Sequence, residues 1–538
     1  MSIHSRNEGP QRLEAVMEDQ ALVDSLIAIA GPAAVSTDEA ARQFVAGDLF
    51  LTGYPPRIVV RPSSSDAVVA CIAACVSNGY AVFPRGGGLS YTGGYIAQTE
   101  RAVTFDLRNL NKIIEIADED MTLTVETGVT WKQIYEALAP KGLRLPFFGT
   151  FSGIGATVGG GLGHGALFFG SARYGPAAEM VLGLEVALAN GSLMRTGQGA
   201  LREASKSVYR NSGPDLTGLF VHDGGAFGVK TQATLRLIRE PIATDFASFA
   251  FQSFDEATSA LCEIARADLV EEVYILDPAS TDDLKVSPAE ARRAMTSIAR
   301  HAGGPLRAAT ALYAAARHGT RLIPRGHYSL HLVAAGRSHA AVQADIRAAR
   351  KIATRRNGKP VASTIPRLAR AQLFENLDGI LGSDGRRWAA LNAKVAHSDA
   401  LDLVRSAENA IAPFKNDMTA LGVSPTKLAS ALSNHCYSYE VVYHWKDALS
   451  PIHRAAIKPD VLEKYAHTAP NPEAWQLVKE LRSETVKIFQ KKGAASNQLG
   501  RTYPFMTALT VPPADFLRQI KRYLDPHGLM NPGVLELN

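Results

Sequence analysis

Apolar residues recur at two spacings between residues 57 and 240, and this alternation predicts strands and helices in turn. Residues 231–238 (TQATLRLI) place an apolar side chain at every second position, which is the period of a half-buried strand. Residues 131–138 instead carry their apolar side chains at helical spacing. This helix is expected to begin with a capping box formed by Thr130 and Gln133. The first half of the chain is therefore predicted to mix α and β elements.

A different pattern follows residue 240. Residues 244–251 (TDFASFAF) predict a strand, and a helix and a second strand follow it. The same strand, helix and strand order repeats from residue 327 to residue 364, and residues 434–447 (NHCYSYEVVYHWKD) add a later strand. Two split β-α-β halves are typical of a ferredoxin-like antiparallel sheet. We therefore predict a second unit with a ferredoxin-like fold.

Charge is nearly balanced over the 538 residues, with 57 basic and 52 acidic side chains. This balance argues against nucleic acid as the main partner. The basic excess is concentrated in residues 292–326 and 347–359. These segments are interpreted as solvated faces, with steering of an anionic substrate or a redox partner as the alternative.

Cysteine usage and hydropathy limit the possible cellular location and the kinds of site that the chain can contain. No apolar run reaches transmembrane length and the first 20 residues lack a signal-peptide core, so a cytoplasmic protein without membrane contact is expected. Four cysteines in so long a chain do not suggest a disulfide framework. Cys71 and Cys75 lie one helical turn apart without further ligands nearby, so core packing is favoured and no metal site is predicted.

Glycine clusters carry the chemical signal of the sequence. They lie at 84–94 (PRGGGLSYTGG), 149–170, 170–175 and 223–231. Exposed backbone N–H groups in such stretches bind phosphate oxygens, and a ligand that needs several clusters is expected to be a dinucleotide. A Rossmann site does not fit, because Val158 stands where the third glycine of the fingerprint belongs.

The segments around these clusters resemble the FAD-binding domain of the vanillyl-alcohol oxidase / p-cresol methylhydroxylase (PCMH-type) superfamily. The resembling stretches are 57–94, 124–146, 152–162, 169–191 and 214–237, and residues 520–538 resemble that family's C-terminal flavin-contacting segment. The resemblance implies an α+β fold with a two-part PCMH-type FAD-binding domain and a ferredoxin-like antiparallel-sheet cap for the substrate. The implied division is an N-terminal helical segment packing on the FAD domain (1–56), the FAD-binding domain (57–240), the cap (241–495) and a returning C-terminal segment (496–538).

The resemblance also implies contacts to FAD. Backbone groups expected around the pyrophosphate belong to Pro84, Arg85, Gly86, Gly87, Gly88, Leu89 and Ser90. Those expected beside the flavin and the diphosphate belong to Thr150, Ser152, Gly153, Gly155, Ala156, Thr157 and Gly160. Residues expected near the isoalloxazine are Arg173, Tyr174 and Gly175, while Gly228 and Val229 hold the adenine or ribose and Asn531 approaches the flavin. For any single glycine, an ordinary tight turn is the alternative.

Covalent attachment of FAD is expected to be absent. Many relatives carry a histidine in the first loop that tethers the flavin, and this chain has Leu89 there. Attachment through the cap stays open at His435, Tyr437, Tyr439, Tyr443 and His444. Non-covalent FAD is the expectation.

Residues 497–506 (NQLGRTYPFM) carry the substrate hypothesis. Phenol-oxidising relatives have a Tyr-Arg-Thr run here that holds the substrate as a phenolate. Arg501 and Thr502 match it, but Gly500 replaces the first tyrosine and Tyr503 follows instead. Tyr91 resembles a second phenolate-binding tyrosine. An ion pair of Arg501 with a buried carboxylate or the diphosphate, and packing of Tyr503, are the alternatives.

The remaining candidates are possible proton acceptors. His444, His435 and His164 are the candidate bases, and the three tyrosines of strand 434–447 are interpreted as packing. The expected activity is FAD-dependent removal of a hydride from an alcohol or benzylic C–H, as in a para-substituted phenol. The alternatives are an FAD-dependent 2-hydroxy acid dehydrogenase and a non-redox FAD enzyme of the ether-lipid-synthase type. Expected partners are a small-molecule substrate, an electron-acceptor protein and a second copy in a homodimer.

Overall fold

The computed structural model describes residues 8–282, 323–382 and 384–538, together with Thr296. Most of the basic segment 292–326 lies outside the described residues. No helix in the described part of the chain is both long enough and apolar enough to span a membrane.

Two sheets form the first half of the molecule. A four-stranded sheet has the order Val35–Ser36, Ile58–Val60, Ala102–Asp106 and Ala81–Arg85, and its last three strands are parallel. A five-stranded antiparallel sheet has the order Ile113–Ala117, Thr122–Glu126, Val229–Arg236, Val181–Ala187 and Leu193–Arg195. A short pair, Leu143–Arg144 with Ile238–Arg239, lies beside it. These sheets are the frame from which the glycine loops project.

A seven-stranded antiparallel sheet forms the second half. Its order is Lys359–Val361, Ala243–Phe251, Tyr328–Gly336, Glu272–Leu276, Ser424–Leu432, Cys436–Trp445 and Arg387–Ala396. Successive residues of a strand point to opposite faces, so each strand has a helix-facing side and an open side. Tyr437, Tyr439 and Tyr443 point to the helices, where they contact Thr258, Phe254 and Thr485 respectively. The open side faces the glycine loops.

The helices cover the outer faces of these sheets. In the first half they are Glu8–Ala30, Glu39–Val45, Ser65–Ser77, Trp131–Leu138, Val158–Gly163, Ser171–Tyr174 and Leu216–Leu219. In the second half they are Phe254–Arg266, Pro278–Thr281, His339–Arg355, Thr364–Ala371, Ala400–Ile411, Lys415–Leu421, Pro451–Ala456, Pro459–Tyr465, Pro472–Lys491 and Val511–Leu524. The capping box predicted at Thr130 and Gln133 is present. Leu22 and Leu26 of the first helix are buried in the core of the parallel strands.

The mixture of sheets and helices confirms the predicted α+β fold class. Cys71 and Cys75 are buried in the core of the four-stranded sheet, where burial raises the pKa of both thiols. Both are therefore protonated core residues.

Candidate active site

A cavity of about 590 Å³ lies between the glycine loops and the open side of the seven-stranded sheet. Two loops of the first half form its floor: the first cradle loop, residues 84–94, and the second cradle loop, residues 149–163. The cap wall faces them and is lined by Ala369, Gln372, Glu375, Asn376, Leu377, Gly379, Ile380, Trp388, Leu428 and Glu440. The volume is in the range of a cofactor and substrate site.

The two cradle loops touch backbone to backbone because glycines occupy the contact points. A Cβ placed on Gly87 would lie 2.0 Å from the carbonyl oxygen of Gly155, and one on Gly86 would lie 2.3 Å from Oγ1 of Thr157. Gly88 also has a φ of +73°, in the left-handed region that favours glycine. The glycines of the first cradle loop are therefore required by the fold of the cradle itself.

The backbone N–H groups of residues 86–91 have no hydrogen-bond acceptor within the described residues. They follow directly after the strand Ala81–Arg85, and most of these residues are only partly buried where they line the cavity. Unpaired N–H groups in a concave loop are the donor set that a pyrophosphate requires. The cradle therefore fits a dinucleotide such as FAD.

Arg85 supports the first cradle loop from behind. Its side chain is buried with its guanidinium over the rings of Phe44 and Tyr95, and the Tyr95 hydroxyl donates to the Gly88 carbonyl at 2.7 Å. Burial lowers the pKa of Arg85. The guanidinium is thus part of the loop's support as well as of the cavity lining.

Most of the residues expected to contact FAD line the cavity. They are Pro84, Arg85, Gly86, Gly87, Gly88, Leu89, Ser90, Thr150, Ser152, Ala156, Thr157, Gly160, Gly228 and Val229. Gly153 and Gly155 lie one layer behind the wall, against Phe374 and Leu377. Arg173, Tyr174 and Gly175 are also absent from the cavity lining. Arg173 instead donates to the carbonyl oxygens of Ala335 and Asp268.

Asn531 and Arg501 form a clamp behind the first cradle loop. Nδ2 of Asn531 donates to the carbonyl oxygens of Gly94 and Gly224, and Oδ1 accepts from Arg501 at 2.7 Å. Arg501 also donates to the carbonyls of Gly93 and Pro532, and burial lowers its pKa to about 10. The structure therefore does not bring Arg501 to the cavity lining, and its geometry favours the support of the loop.

The C-terminal tail continues this support along the parallel sheet. The N–H of Val82 donates to Leu529 O at 2.8 Å, and the N–H of Asn531 donates back to Val82 O at the same distance. The tail therefore lies beside the strand Ala81–Arg85 that leads into the first cradle loop.

Two further predicted catalytic residues lie outside the lining. The Tyr503 hydroxyl accepts from the backbone N–H of Asn392 at 2.7 Å, and burial raises its pKa. His444 shares a hydrogen bond of 2.9 Å with Thr426, and burial lowers its pKa to about 4. Their catalytic roles stay predictions, and the geometry favours structural ones.

Tyr91 and His164 do line the cavity. The ring of Tyr91 packs against Trp388 at 5.2 Å, and Gln498 lies within hydrogen-bonding reach of its hydroxyl. Burial raises the pKa of Tyr91 well above its usual value. His164 is buried beside Gly94, and burial lowers its pKa to about 4, so it is neutral near pH 7. Tyr91 and the candidate base His164 are thus the predicted residues that the structure brings to the cavity.

The side chains that could tether FAD to the cap do not reach the cavity. Three of them, Tyr437, Tyr439 and Tyr443, point into the helical layer on the far side of the sheet. His435 is exposed in the preceding turn, and His444 is absent from the lining. Leu89 occupies the position of the histidine tether in the first cradle loop, and it lines the cavity.

Several lining residues were not predicted. Glu440 lies on the open side of the strand Cys436–Trp445, and Asn497 and Gln498 precede Arg501. The period-two pattern of that strand places Glu440 on the face opposite the tyrosines, which is the signal that could have identified it. Residues 369–380 carry no motif, so no sequence signal pointed to them.

A peg at Phe374 joins residues 372–380 to the second cradle loop. Phe374 has a φ of +61°, and its ring is 2% exposed. A Cβ on Gly149 or Gly153 would lie 2.6 Å or 2.3 Å from this ring. The two glycines thus make the socket that holds this part of the cap wall.

Comparison with known protein families agrees with this geometry. Residues 56–197 match the family described as FAD binding domain, and residues 509–535 match the C-terminal domain of FAD linked oxidases. The glycolate oxidase subunit GlcD of Bacillus subtilis is 30% identical over 215 residues, which are 40% of this chain and 44% of that protein. The probable mitochondrial D-lactate dehydrogenase of Danio rerio is 32% identical over 258 residues, 48% of this chain and 50% of that protein. The chain spans about half the length of these relatives.

Solved structures share the whole fold at low identity. The crystal structure of p-cresol methylhydroxylase with substrate bound has a TM-score of 0.73 at 19% identity and covers 97% of each chain. An alkyldihydroxyacetonephosphate synthase has a TM-score of 0.66 at 17% identity, covering 95% of this chain and 84% of the other. These similarities concern the fold.

Proposed function

Because the chain belongs to the PCMH-type FAD-binding family, we propose that it is an FAD-dependent oxidoreductase that oxidises an alcohol or a benzylic C–H, as in a para-substituted phenol. FAD is its cofactor. When bound, FAD accepts a hydride from the substrate carbon. The residues of the chain must then bind the cofactor, orient the substrate and take up a proton.

The cradle loops supply the cofactor contacts in this proposal. The N–H groups of residues 86–91 are the donors for the diphosphate, and Thr150 and Ser152 line the adjoining part of the cavity. The clamp of Arg501 and Asn531 keeps the first cradle loop in place. We also propose non-covalent binding, which is supported by Leu89 at the tether position and by the absence of the five cap candidates from the described lining.

The composition of the substrate half of the cavity carries the proposal. Tyr91, Trp388 and Leu428 present aromatic and apolar surface, while Glu440 presents a carboxylate. Among the described lining residues the lysine and arginine side chains are Arg85, which supports the first cradle loop, and Lys230, which pairs with Asp223 at 2.5 Å. Among these lining residues, a substrate carboxylate would thus meet the Glu440 carboxylate and no lysine or arginine other than these two. A neutral phenol or alcohol avoids that repulsion.

Two other functions have specific support. The relatives named glycolate oxidase and D-lactate dehydrogenase favour a 2-hydroxy acid as substrate. The fold shared with an alkyldihydroxyacetonephosphate synthase favours the ether-lipid-synthase type of reaction, which leaves FAD unchanged overall. The composition of the described cavity lining favours oxidation of a phenol over these two functions.

Anaerobic reduction of the flavin tests the proposal. The purified holoenzyme is mixed without oxygen with vanillyl alcohol, benzyl alcohol, D-lactate and glycolate, and loss of the visible flavin absorbance is followed. We expect fast bleaching by vanillyl alcohol, slower bleaching by benzyl alcohol, which lacks the phenol, and none by the two acids. Bleaching by D-lactate or glycolate alone would select the hydroxy acid dehydrogenase instead.

The organisation of the chain is part of the proposal. We retain the division into residues 1–56, 57–240, 241–495 and 496–538, because the cradle loops project from the second unit and the cap wall from the third. An electron-acceptor protein and a homodimer stay predictions, as does a cytoplasmic location.

A further inference from the structure

We propose that Glu440 accepts the proton of the substrate hydroxyl and that Lys394 is the positioning residue that holds this carboxylate in its ionised form. This inference rests on the proposed function, since it assigns the proton acceptor of that reaction.

The position of Glu440 suits a proton acceptor. It lies in the strand Cys436–Trp445, opposite Asn392 on one neighbouring strand and Leu428 on the other. Its side chain lines the cavity, as do Trp388 and Leu428. The carboxylate makes no hydrogen bond or ion pair with any described residue, so its oxygens are free to accept from a substrate. The buried carboxylate of Glu271, by contrast, forms ion pairs with Arg144 and Arg370.

Lys394 lies on the same face of the sheet as Glu440, and its ammonium group is held in place by hydrogen bonds. It lies two residues from Asn392 on the neighbouring strand, which makes it a diagonal cross-strand neighbour of Glu440. Its Nζ donates to Oδ1 of Asn392 at 2.8 Å and to Oδ1 of Asn497. Asn497 is held in turn by its Nδ2 bond of 2.9 Å to the carbonyl of Gly165. The cation therefore cannot swing away from the carboxylate without breaking these bonds.

Three other titratable groups that face Glu440 or share its strand are uncharged near pH 7. Tyr91 faces it from the first cradle loop and Tyr503 from the C-terminal segment, and burial raises the pKa of both phenols. Cys436 lies on the same strand, and burial raises its pKa as well. The neighbouring strand contributes the apolar Leu428. The charge that acts on Glu440 is thus that of Lys394.

Each of the two ionisable groups counteracts the effect of burial on the pKa of the other. Burial raises the pKa of Glu440, and the Lys394 ammonium opposes that rise. Burial also lowers the pKa of Lys394, while the Glu440 carboxylate opposes that decrease. A carboxylate poised in this way is suited to general base catalysis near neutral pH.

The proposed step balances atoms and charge. The substrate O–H bond breaks and its proton forms a bond to a carboxylate oxygen of Glu440. The C–H bond breaks and its two electrons leave with the hydride to FAD, the acceptor that the proposed function supplies. A C=O bond forms in an alcohol, and a quinone methide forms in a para-substituted phenol. Glu440 returns its proton to solvent once the product has left.

Flavin reduction in variants provides the first test. Glu440→Gln keeps the size of the side chain but cannot accept a proton, and Glu440→Asp keeps the charge on a shorter stem. We expect Glu440→Gln to bind FAD normally and to slow flavin reduction by vanillyl alcohol by roughly 10²-fold or more. We expect Glu440→Asp to recover part of the rate, and Glu463→Gln, an exposed glutamate of the cap, to match the wild type.

The pH profile separates the role of Lys394. Wild-type reduction should become faster as the pH rises through the pKa of Glu440, and Glu440→Gln should lose this dependence. Lys394→Gln keeps a donor for the two asparagines without the charge, so it should shift the profile to higher pH. A wild-type rate and profile in Glu440→Gln would overturn the proposal.

A second readout does not depend on turnover. Infrared difference spectra taken during a pH titration should show a protonated-carboxyl band that is absent in Glu440→Gln. Its midpoint should rise in Lys394→Gln, and an unchanged midpoint would overturn the assignment of Lys394. If no phenol or alcohol bleaches the wild type, the proposed function fails, and this titration alone decides the Glu440–Lys394 pair.

Discussion

Individual glycines decide the shape of the cofactor cradle. Gly87 lies so close to the carbonyl of Gly155 that a methyl group would meet it at 2.0 Å. Backbone atoms cannot move aside as a flexible side chain can, so the loops would have to separate. The spacing of the two cradle loops sets where the N–H groups of residues 86–91 point. A single added carbon is therefore expected to disturb cofactor binding.

We predict that Gly87→Ala lowers FAD affinity about tenfold or more, because overpacking of this kind costs roughly 1–3 kcal/mol. The measurement is the ratio of bound flavin to protein after dialysis, supported by a titration of the apoprotein with FAD. Gly379→Ala is the matched control, since Gly379 also lines the cavity but has no atom within 4 Å of its added Cβ. Equal FAD affinity in both variants would contradict the prediction.

Residue-level prediction from the sequence is possible where the residue type itself carries the constraint. The first cradle loop could be found because glycine density reports the need for bare backbone. Arg501 could not be placed, because an arginine that holds a substrate and one that holds three backbone or amide oxygens read alike in a sequence. Its partner Asn531 lies 30 positions away, and the fold alone brings the two together.

At the scale of elements, one connecting segment shapes the substrate side of the cavity. Residues 372–380 belong to the connection between the helix Thr364–Ala371 and the strand Arg387–Ala396, and several of them line the cap wall. The ring of Phe374 packs in the socket of Gly149 and Gly153 and holds this segment in place. The backbone of Phe374 adopts a left-handed φ there, which is strained for a residue other than glycine. The peg therefore determines where the cap wall stands.

We predict that Phe374→Ala destabilises the protein by about 3 kcal/mol, since it removes a buried aromatic ring while relieving the strained φ. Limited proteolysis should then cut between residues 372 and 382, and KM for the substrate should rise more than kcat falls. Phe516→Ala removes an aromatic ring that is 61% exposed and serves as the control. Resistance of Phe374→Ala to the protease would argue against the peg.

Elements with a strong pattern were predictable, and this segment was not. The strand Cys436–Trp445 shows its two faces in the sequence, and the tyrosine face packs on helices as interpreted. Residues 372–380 have no period and no motif. Their position follows from a contact between Phe374 and glycines more than two hundred residues earlier in the chain, which local sequence cannot reveal.

At the scale of the molecule, a buried charge network joins the two halves. Arg144 of the first half pairs with Glu271 at 2.9 Å, and Arg370 of the cap bonds to both Glu271 and Glu272. Burial opposes ionisation of Glu271, but the two arginines outweigh it and lower its pKa to about 2. At Glu272 burial prevails over Arg370 and raises the pKa to about 7. The contributions of these two neighbouring carboxylates to stability therefore change with pH in opposite directions.

We predict that the contribution of Glu272 to stability falls as the pH rises. Its folded pKa is above the unfolded value, so the contribution is present below about pH 4.5 and lost through pH 7, by at most about 3 kcal/mol. Thermal unfolding of the holoenzyme at pH 5 and pH 8 measures it. Glu272→Gln should have a smaller drop in Tm between these pH values than the wild type.

Glu271→Gln provides the contrast for this network. It removes the closest anionic partner of the buried Arg144 and leaves Arg370 with Glu272 alone, so we expect a loss of about 3–5 kcal/mol at both pH values. An identical change of Tm with pH in the wild type and in Glu272→Gln would contradict the assignment of the pH effect to Glu272.

The clamp behind the first cradle loop also affects when the cofactor site can form during protein synthesis. Asn531 supports Gly94 from 437 positions downstream, so that support cannot form until Asn531 has emerged from the ribosome. A nascent chain that has emerged only as far as the cap contains the glycine loops. It still lacks Arg501 and Asn531, which support the first cradle loop. We therefore expect stable flavin binding only after the segment that carries Asn531 has emerged and packed behind the loop.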